Sequence, residues 1–173
     1  MKERRFQIGT VIAVSLLAFA IAFLFHDLYQ WTGECKLIGG FVPVNESVWE
    51  HLKLAFYPVI IAMAYPLTGF QQQWTIQERI LQAGIATFLA ICVVFFGYYG
   101  IHTGFGIQGE KIDLVIDIGL LVLGELLGIY HGFRFEPKTK ATKLVSVFWL
   151  VFMALIFWWF TAHPGTAEVF RVP

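Results

Sequence analysis

The sequence predicts an all-α polytopic membrane protein, a bundle of five transmembrane helices. Three observations predict it. Only 14% of the 173 residues are charged and 58% are hydrophobic, where a soluble domain carries about 25% charged residues. Mean hydropathy is +0.69. Finally, five stretches are each apolar over about the ~20 residues that a helix needs to cross a hydrocarbon core: 7–28, 50–70, 79–101, 112–133 and 143–161. The connections between them are short and no internal repeat is visible, so residues 1–173 read as one membrane-embedded domain. Formal net charge is zero, and there is no basic stripe or zinc-finger spacing, which argues against nucleic acid as a partner. The expected surroundings are a lipid bilayer, in the cell membrane.

The first span follows a basic start, Met1 to Arg5, as a secretory signal would. Its apolar run, Ile8 to Phe25, outlasts the ~7–15 residues of a signal core, so a retained span is expected. The second, 50–70, holds Pro58 and Pro66, which should kink it. The third, 79–101, is uninterrupted. The fifth, 143–161, follows a basic loop and ends in a tryptophan pair. Basic residues set the expected orientation. Lys2, Arg4, Arg5, Arg79, Arg134, Lys138, Lys140 and Lys143 fall on one side, and Lys36, Lys53, Lys111 and Arg171 on the other. The N-terminus is then cytoplasmic and the C-terminus outside. Tyr29, Trp31, Trp49, Tyr98, Tyr99, Trp158 and Trp159 cluster at the outer boundary, as an anchoring belt would.

The fourth span carries the most chemistry. At 100° per residue, Asp113, Asp117, Gly124, Gly128 and His131 share one stripe, with Gly132 and Glu125 at its edge and Val122, Leu123 and Leu126 opposite. Gly124, Gly128 and Gly132 would let another helix approach closely, within the bundle or from a partner. Glu125 lies about 20 Å along the helix from its outer end. A carboxylate at that depth costs at least about 2.5 kcal/mol, so it must be neutral, paired or facing a cavity.

Polar residues from different spans converge on the outer face: His26 and Asp27, the run Asn45 to Lys53, His102, Asp113, Asp117 and His163. Glu46, Ser47 and Glu50 are expected to line an outward-opening cleft with Asp117. Each has a plainer reading. Asn45 would make a helix N-cap, Glu46 suits the first turn of that helix, and Glu50 with Lys53 could be a surface pair. Histidines at span ends are ordinary boundary residues. Cys35 and Cys92 show no metal or redox spacing.

The residues His26 to Gly33 and the core Asn45-Glu46-Ser47-x-x-x-Glu50-His51-Leu52-Lys53 resemble an uncharacterised family of small prokaryotic multipass membrane proteins. The likeness continues through Tyr99 to Ile101, Asp113, Asp117 and Phe160 to Pro164, and departs at Gly165-Thr166-Ala167. It implies a multipass fold and no activity. A fainter likeness, Ser47-x-x-x-His51 at a span start, is similar to ceramidase-like membrane hydrolases. Their late His-x-x-x-His pair has no counterpart here, so their ligands are not carried over.

Three functions fit these residues. One is a metal-dependent hydrolase for a lipid or other amphipathic substrate, with zinc held by His26, His51 and His102 and with Glu46, Glu50 or Asp117 as base. Another is a small-molecule or proton-coupled transport protein, with Glu50, Asp117 and Glu125 along a polar path. The last is an accessory subunit docking a partner helix on the glycine face.

Overall fold

The computed structural model describes residues 8–107, 109–136 and 139–172. Among the described residues the chain is entirely helical, with no strand. The helices are α1 (Ile8–Trp31), α2 (Lys36–Gly39), α3 (Val48–His51), α4 (Tyr57–Ala64), α5 (Ile76–Tyr99), α6 (Glu110–Arg134) and α7 (Lys140–Ala162). A π-helical turn, Gly100–Gly104, extends α5, and 3₁₀ turns occur at Gln71–Gln73, before α5, and at Glu168–Phe170, after α7.

Local sequence accounts for the ends. Thr75 opens α5 with a capping box: its hydroxyl accepts from the Glu78 N–H at 3.2 Å, and the Glu78 carboxylate accepts from the Thr75 N–H at 2.8 Å. Thr139 and Thr142 do the same for α7. Ser47, not Asn45, caps α3; the Asn45 side chain instead accepts from the Ser47 N–H at 2.9 Å, holding the turn that leads into the helix.

Three helices among the described residues are long and apolar enough to cross a membrane: α1, α5 with its π turn, and α7. Five were expected. The second expected span, 50–70, does not form. Pro58 has no N–H to donate to Leu54, so α3 runs out in irregular turns, and α4 starts afresh at Tyr57. Tyr65, before Pro66, is extended and ends α4 after eight residues, about 12 Å of helix against the ~30 Å hydrocarbon core. Arg79 then clasps its C-terminal end, donating to the carbonyls of Ala64, Gln71 and Trp74 at 2.7–3.0 Å, while Gln71 donates to those of Ala62, Met63 and Tyr65. The fourth expected span is one 25-residue helix, α6, but it carries Asp113, Asp117 and Glu125 and is not among the three. Of the basic residues that set the expected orientation, Lys2, Arg4, Arg5 and Lys138 lie outside the described residues.

α5 is the central post. One core joins it to α1, α4 and α6 around Val14, Ala18, Met63, Ala86 and Ile129; a second joins it to α7 around Phe56, Ala90, Met153 and Phe157. The glycine face of α6 is spent on this packing. A Cβ on Gly128 would meet the Ala86 carbonyl oxygen at 2.3 Å, and one on Gly124 that of Ala90 at 2.9 Å. Leu16 and Phe23 of α1, Leu123 of α6, and Leu144, Phe148 and Leu155 of α7 are exposed, apolar side chains of the kind that lipid covers.

Candidate functional site

The site forms where the C-terminal ends of α1, α5 and α7 meet the N-terminal end of α6, covered by the segment from Gly39 to Lys53. α1 delivers His26 in its last turns. The Asn45 turn presents Glu46, and the four-residue α3, held by the Ser47 cap, presents His51.

Two imidazoles and one carboxylate converge. The Nε2 atoms of His26 and His51 lie 3.6 and 3.3 Å from Glu46 Oε2, and the three ligand atoms all lie within 4.8 Å of one another. The far side of each ring is already engaged. His51 Nδ1 is 3.1 Å from the Ser47 carbonyl oxygen, and His26 Nδ1 is 2.9 Å from an Asp27 carboxylate oxygen. A carbonyl only accepts, so His51 Nδ1 carries a proton, and the Asp27 carboxylate fixes His26 in the same sense. In the neutral tautomers both Nε2 lone pairs therefore face a carboxylate oxygen. Three electron-pair donors turned toward one another form a set that a proton or a metal ion could bridge.

The protonic solution shows in the site's electrostatics. The hydrogen bond from His51 holds the Glu46 carboxyl below the ordinary value of 4.5, against a partial burial that acts the other way. Burial alone would lower the His51 imidazole, but Glu46, the Ser47 carbonyl and the nearby charge of Asp117 outweigh it and raise it above 6.5.

The distances also suit zinc. Ligand atoms at tetrahedral angles, each ~2.0–2.1 Å from the ion, sit about 3.3 Å apart, close to the two separations seen here.

The profile of a family of unknown function, DUF6512, matches residues 2–172. The chain belongs to that family. This agrees with the resemblance carried by the residues around Asn45 to Lys53 and supplies no activity. No curated protein and no solved structure matches it.

The other expected site residues fall elsewhere. His102 is not part of the cluster. It is buried in the π turn against the Tyr98 ring at 4.2 Å, with Nδ1 3.4 Å from Asp113 Oδ1 and its buried Nε2 without a hydrogen-bond partner among the described residues. Asp113 is itself fixed by accepting from the Gly109 N–H. Asp117 lies between the two groups, near enough to act on the charge of His51. Ser47 is buried and committed to capping through its hydroxyl and to His51 through its carbonyl.

Glu50 turns away from His51 into the protein. It pairs with Lys53 at 2.5 Å, and accepts from the Val44 N–H at 3.0 Å and the Thr161 hydroxyl at 3.2 Å. Lys53, expected as a surface partner that could snorkel outward, is 0% exposed, and donates to the Gly39 and Val42 carbonyls and to Thr161 as well. This clasp ties the Gly39–Val44 segment and the end of α7 to the root of α4.

Glu125 is fully buried, with neither carboxylate oxygen hydrogen-bonded among the described residues. Asp27, expected among the polar residues that converge on this face, has a role that the sequence alone did not assign, that of fixing His26. Its only signal is that it directly follows a candidate ligand histidine.

Proposed function

We propose that the protein is a zinc-dependent hydrolase of the cell membrane, acting at the outer face on a lipid or other amphipathic substrate. α1, α5, α6 and α7 cross the bilayer with the N-terminus cytoplasmic, while α3 and α4 form a broken segment that closes the outer half of the bundle. The outward leucines and isoleucines of α6 support its place as a fourth span, with Asp113, Asp117 and Glu125 turned inward or toward its outer end.

The observation that carries the reading is the convergence of His26 Nε2, His51 Nε2 and Glu46 Oε2, with both Nδ1 atoms already bonded to a carboxylate or carbonyl. Three protein ligands with an open fourth position is the composition of catalytic rather than structural zinc. Bound there, zinc would acidify a water to a pKa near 7 and polarise an ester, amide or phosphodiester oxygen. Asp27 and the Ser47 carbonyl would orient the two imidazoles, the part that outer-shell partners play at such sites. Asp117, whose charge acts on His51, would be the carboxylate that accepts the proton of the attacking water.

The test is elemental analysis of the protein purified in lipid nanodiscs and re-equilibrated with zinc, followed by a panel of short-chain lipid esters, amides and phosphodiesters. The expected result is one zinc per chain, lost in His51→Ala and Glu46→Gln, with hydrolysis of at least one substrate that follows zinc occupancy. Absence of stoichiometric zinc would sink the proposal.

One observation favours a second reading, proton-coupled transport: the unpartnered, fully buried Glu125 on α6. Intramembrane carboxylates of this kind commonly mark proton pathways. Under that reading, Glu125→Gln abolishes pH-gradient-driven uptake in vesicles and leaves zinc content unchanged.

A further inference from the structure

A cleft of about 300 Å³ is lined by Val48, Tyr98, Tyr99, Glu168, Arg171 and Val172. It shares with the candidate metal cluster only the short helix α3: Val48, in its lining, opens the helical turn that ends in His51, while the Tyr98 ring lies against His102, outside the cluster. Its outer wall is the C-terminal segment. Phe170 anchors that wall, with its ring 5.3 Å from Trp49 and 4.9 Å from Phe160, so Arg171 is carried to the rim.

The lining combines one cation, one anion and two aromatic rings. Glu168 and Arg171 are three residues apart, yet they form no ion pair with each other or with any other described residue. Two opposite charges held over one cleft without neutralising each other suit a ligand that brings both signs itself. The guanidinium is shaped for two phosphate oxygens. A carboxylate in the same lining as two tyrosines suits an ammonium group through charge and cation–π attraction. Tyr98 and Tyr99 end a membrane-crossing helix, the level at which lipid headgroups lie. At this volume the cleft admits a headgroup, near the lower bound for small-molecule sites, while the acyl chains stay in the bilayer along the apolar faces of α5 and α6.

We infer that this cleft binds the headgroup of a zwitterionic phospholipid of the phosphoethanolamine class, with the phosphate on Arg171 and the ammonium between Glu168 and the two tyrosines. The inference rests on the hydrolase reading above and names the substrate class for it.

Soluble dihexanoyl lipids test it through isothermal titration calorimetry on the full-length protein in detergent, with zinc content measured on the same samples. The phosphatidylethanolamine should bind at least tenfold tighter than the phosphatidylglycerol, and inorganic phosphate should compete only weakly. Arg171→Ala should weaken the phosphatidylethanolamine at least tenfold, Arg171→Lys should recover part of that, and Glu168→Gln should erase the preference between the two lipids. All three variants should keep their zinc. Equal binding of the two lipids by the unmodified protein, phosphate binding as tight as the lipid, or an Arg171→Ala variant with unchanged affinity would each overturn the inference. Selective binding by a protein that holds no zinc would leave the cleft standing and remove the hydrolase reading instead.

Discussion

Glu46 with His51, and Glu50 with Lys53, come from the same eight-residue stretch and are solved in opposite ways. Glu50 and Lys53 are buried, and every strong valence is used: the carboxylate takes two other donors besides the ammonium, and the ammonium faces four oxygens. Glu46 and His51 sit at the surface, joined by His26, with three potential ligand atoms converging where a proton or a metal ion could bridge them. Residues 50 and 51 are neighbours in sequence but about 100° apart around a helix axis, so one short turn can hold a structural clasp on its inner side and a ligand set on its outer side. Burial alone does not mark a site. What separates the two pairs is whether electron pairs remain unassigned once the protein's own hydrogen bonds are counted.

The largest effect should come from breaking the clasp. Lys53→Met leaves Glu50 buried without its cation, and uncompensated buried charges of this kind cost about 3–5 kcal/mol. Unfolding of the protein in mixed micelles with rising SDS should show that loss, while the fraction that stays folded still binds zinc. Adding Glu50→Leu should restore most of the stability, since removing both charges is far milder than removing one. A folded Lys53→Met variant that has lost its zinc would erase the division of labour between the two pairs.

The ligand side should respond the other way round. His51→Ala should weaken zinc by more than the ~10–100-fold seen when outer-shell partners are lost, and should change unfolding by only about 1 kcal/mol. Competition with a fluorescent chelator reads the first, and the same SDS titration reads the second. Asp27→Asn tests the next shell outward. It keeps the side chain's shape but removes the charge that fixes His26, so zinc should weaken by about 10–100-fold with unfolding unchanged. A neutral effect would mean that Asp27 only shares the surface with His26.

Much of this was legible in the residues themselves. The helical class, the three long apolar helices and the gathering of His26, Glu46 and His51 at one end follow from hydropathy and from where polar residues fall relative to the spans. The second span was misread because hydropathy averages over Pro58 and Pro66, whereas a helix is decided hydrogen bond by hydrogen bond. Lys53 looked like a boundary residue because its acceptors, Gly39, Val42 and Thr161, are carbonyls and a hydroxyl distant in sequence, and a backbone carbonyl has no signature. His102 was grouped with the other histidines by depth alone. Depth places a residue along the bundle axis and says nothing about its azimuth, which the π turn and Tyr98 determine. The glycine stripe was correctly tied to close helix approach, but sequence could not say whether the approaching helix was α5 or a partner's.

The smallest effect, and the most discriminating between proton and metal, is the pH dependence of the metal-free protein. His51 is raised above 6.5 in the folded state, so its contribution to stability is complete below pH 6.5 and fades as pH rises through the folded value. Glu46 is lowered below 4.5, so its contribution is complete above pH 4.5 and is lost as pH falls through the folded value. Both contributions are therefore fully present only between about pH 4.5 and 6.5, where the carboxylate faces an imidazolium. Glu46 is more than half exposed, which holds the pair to about 1 kcal/mol at most. Zinc demands the opposite, a neutral His51, so its affinity should climb with pH over the range in which the metal-free protein loses this stabilisation. Unfolding free energies of chelator-treated protein at pH 5.5 and 8, set beside zinc affinities at pH 6.5 and 8, should run in opposite directions. Glu46→Gln should remove the part of the stability trend that this pair contributes. If stability of the metal-free protein instead rises steadily from pH 5.5 to 8 and Glu46→Gln leaves that slope intact, then Glu46 and His51 are not sharing a cation, and the convergence of the three ligand atoms has no chemical consequence.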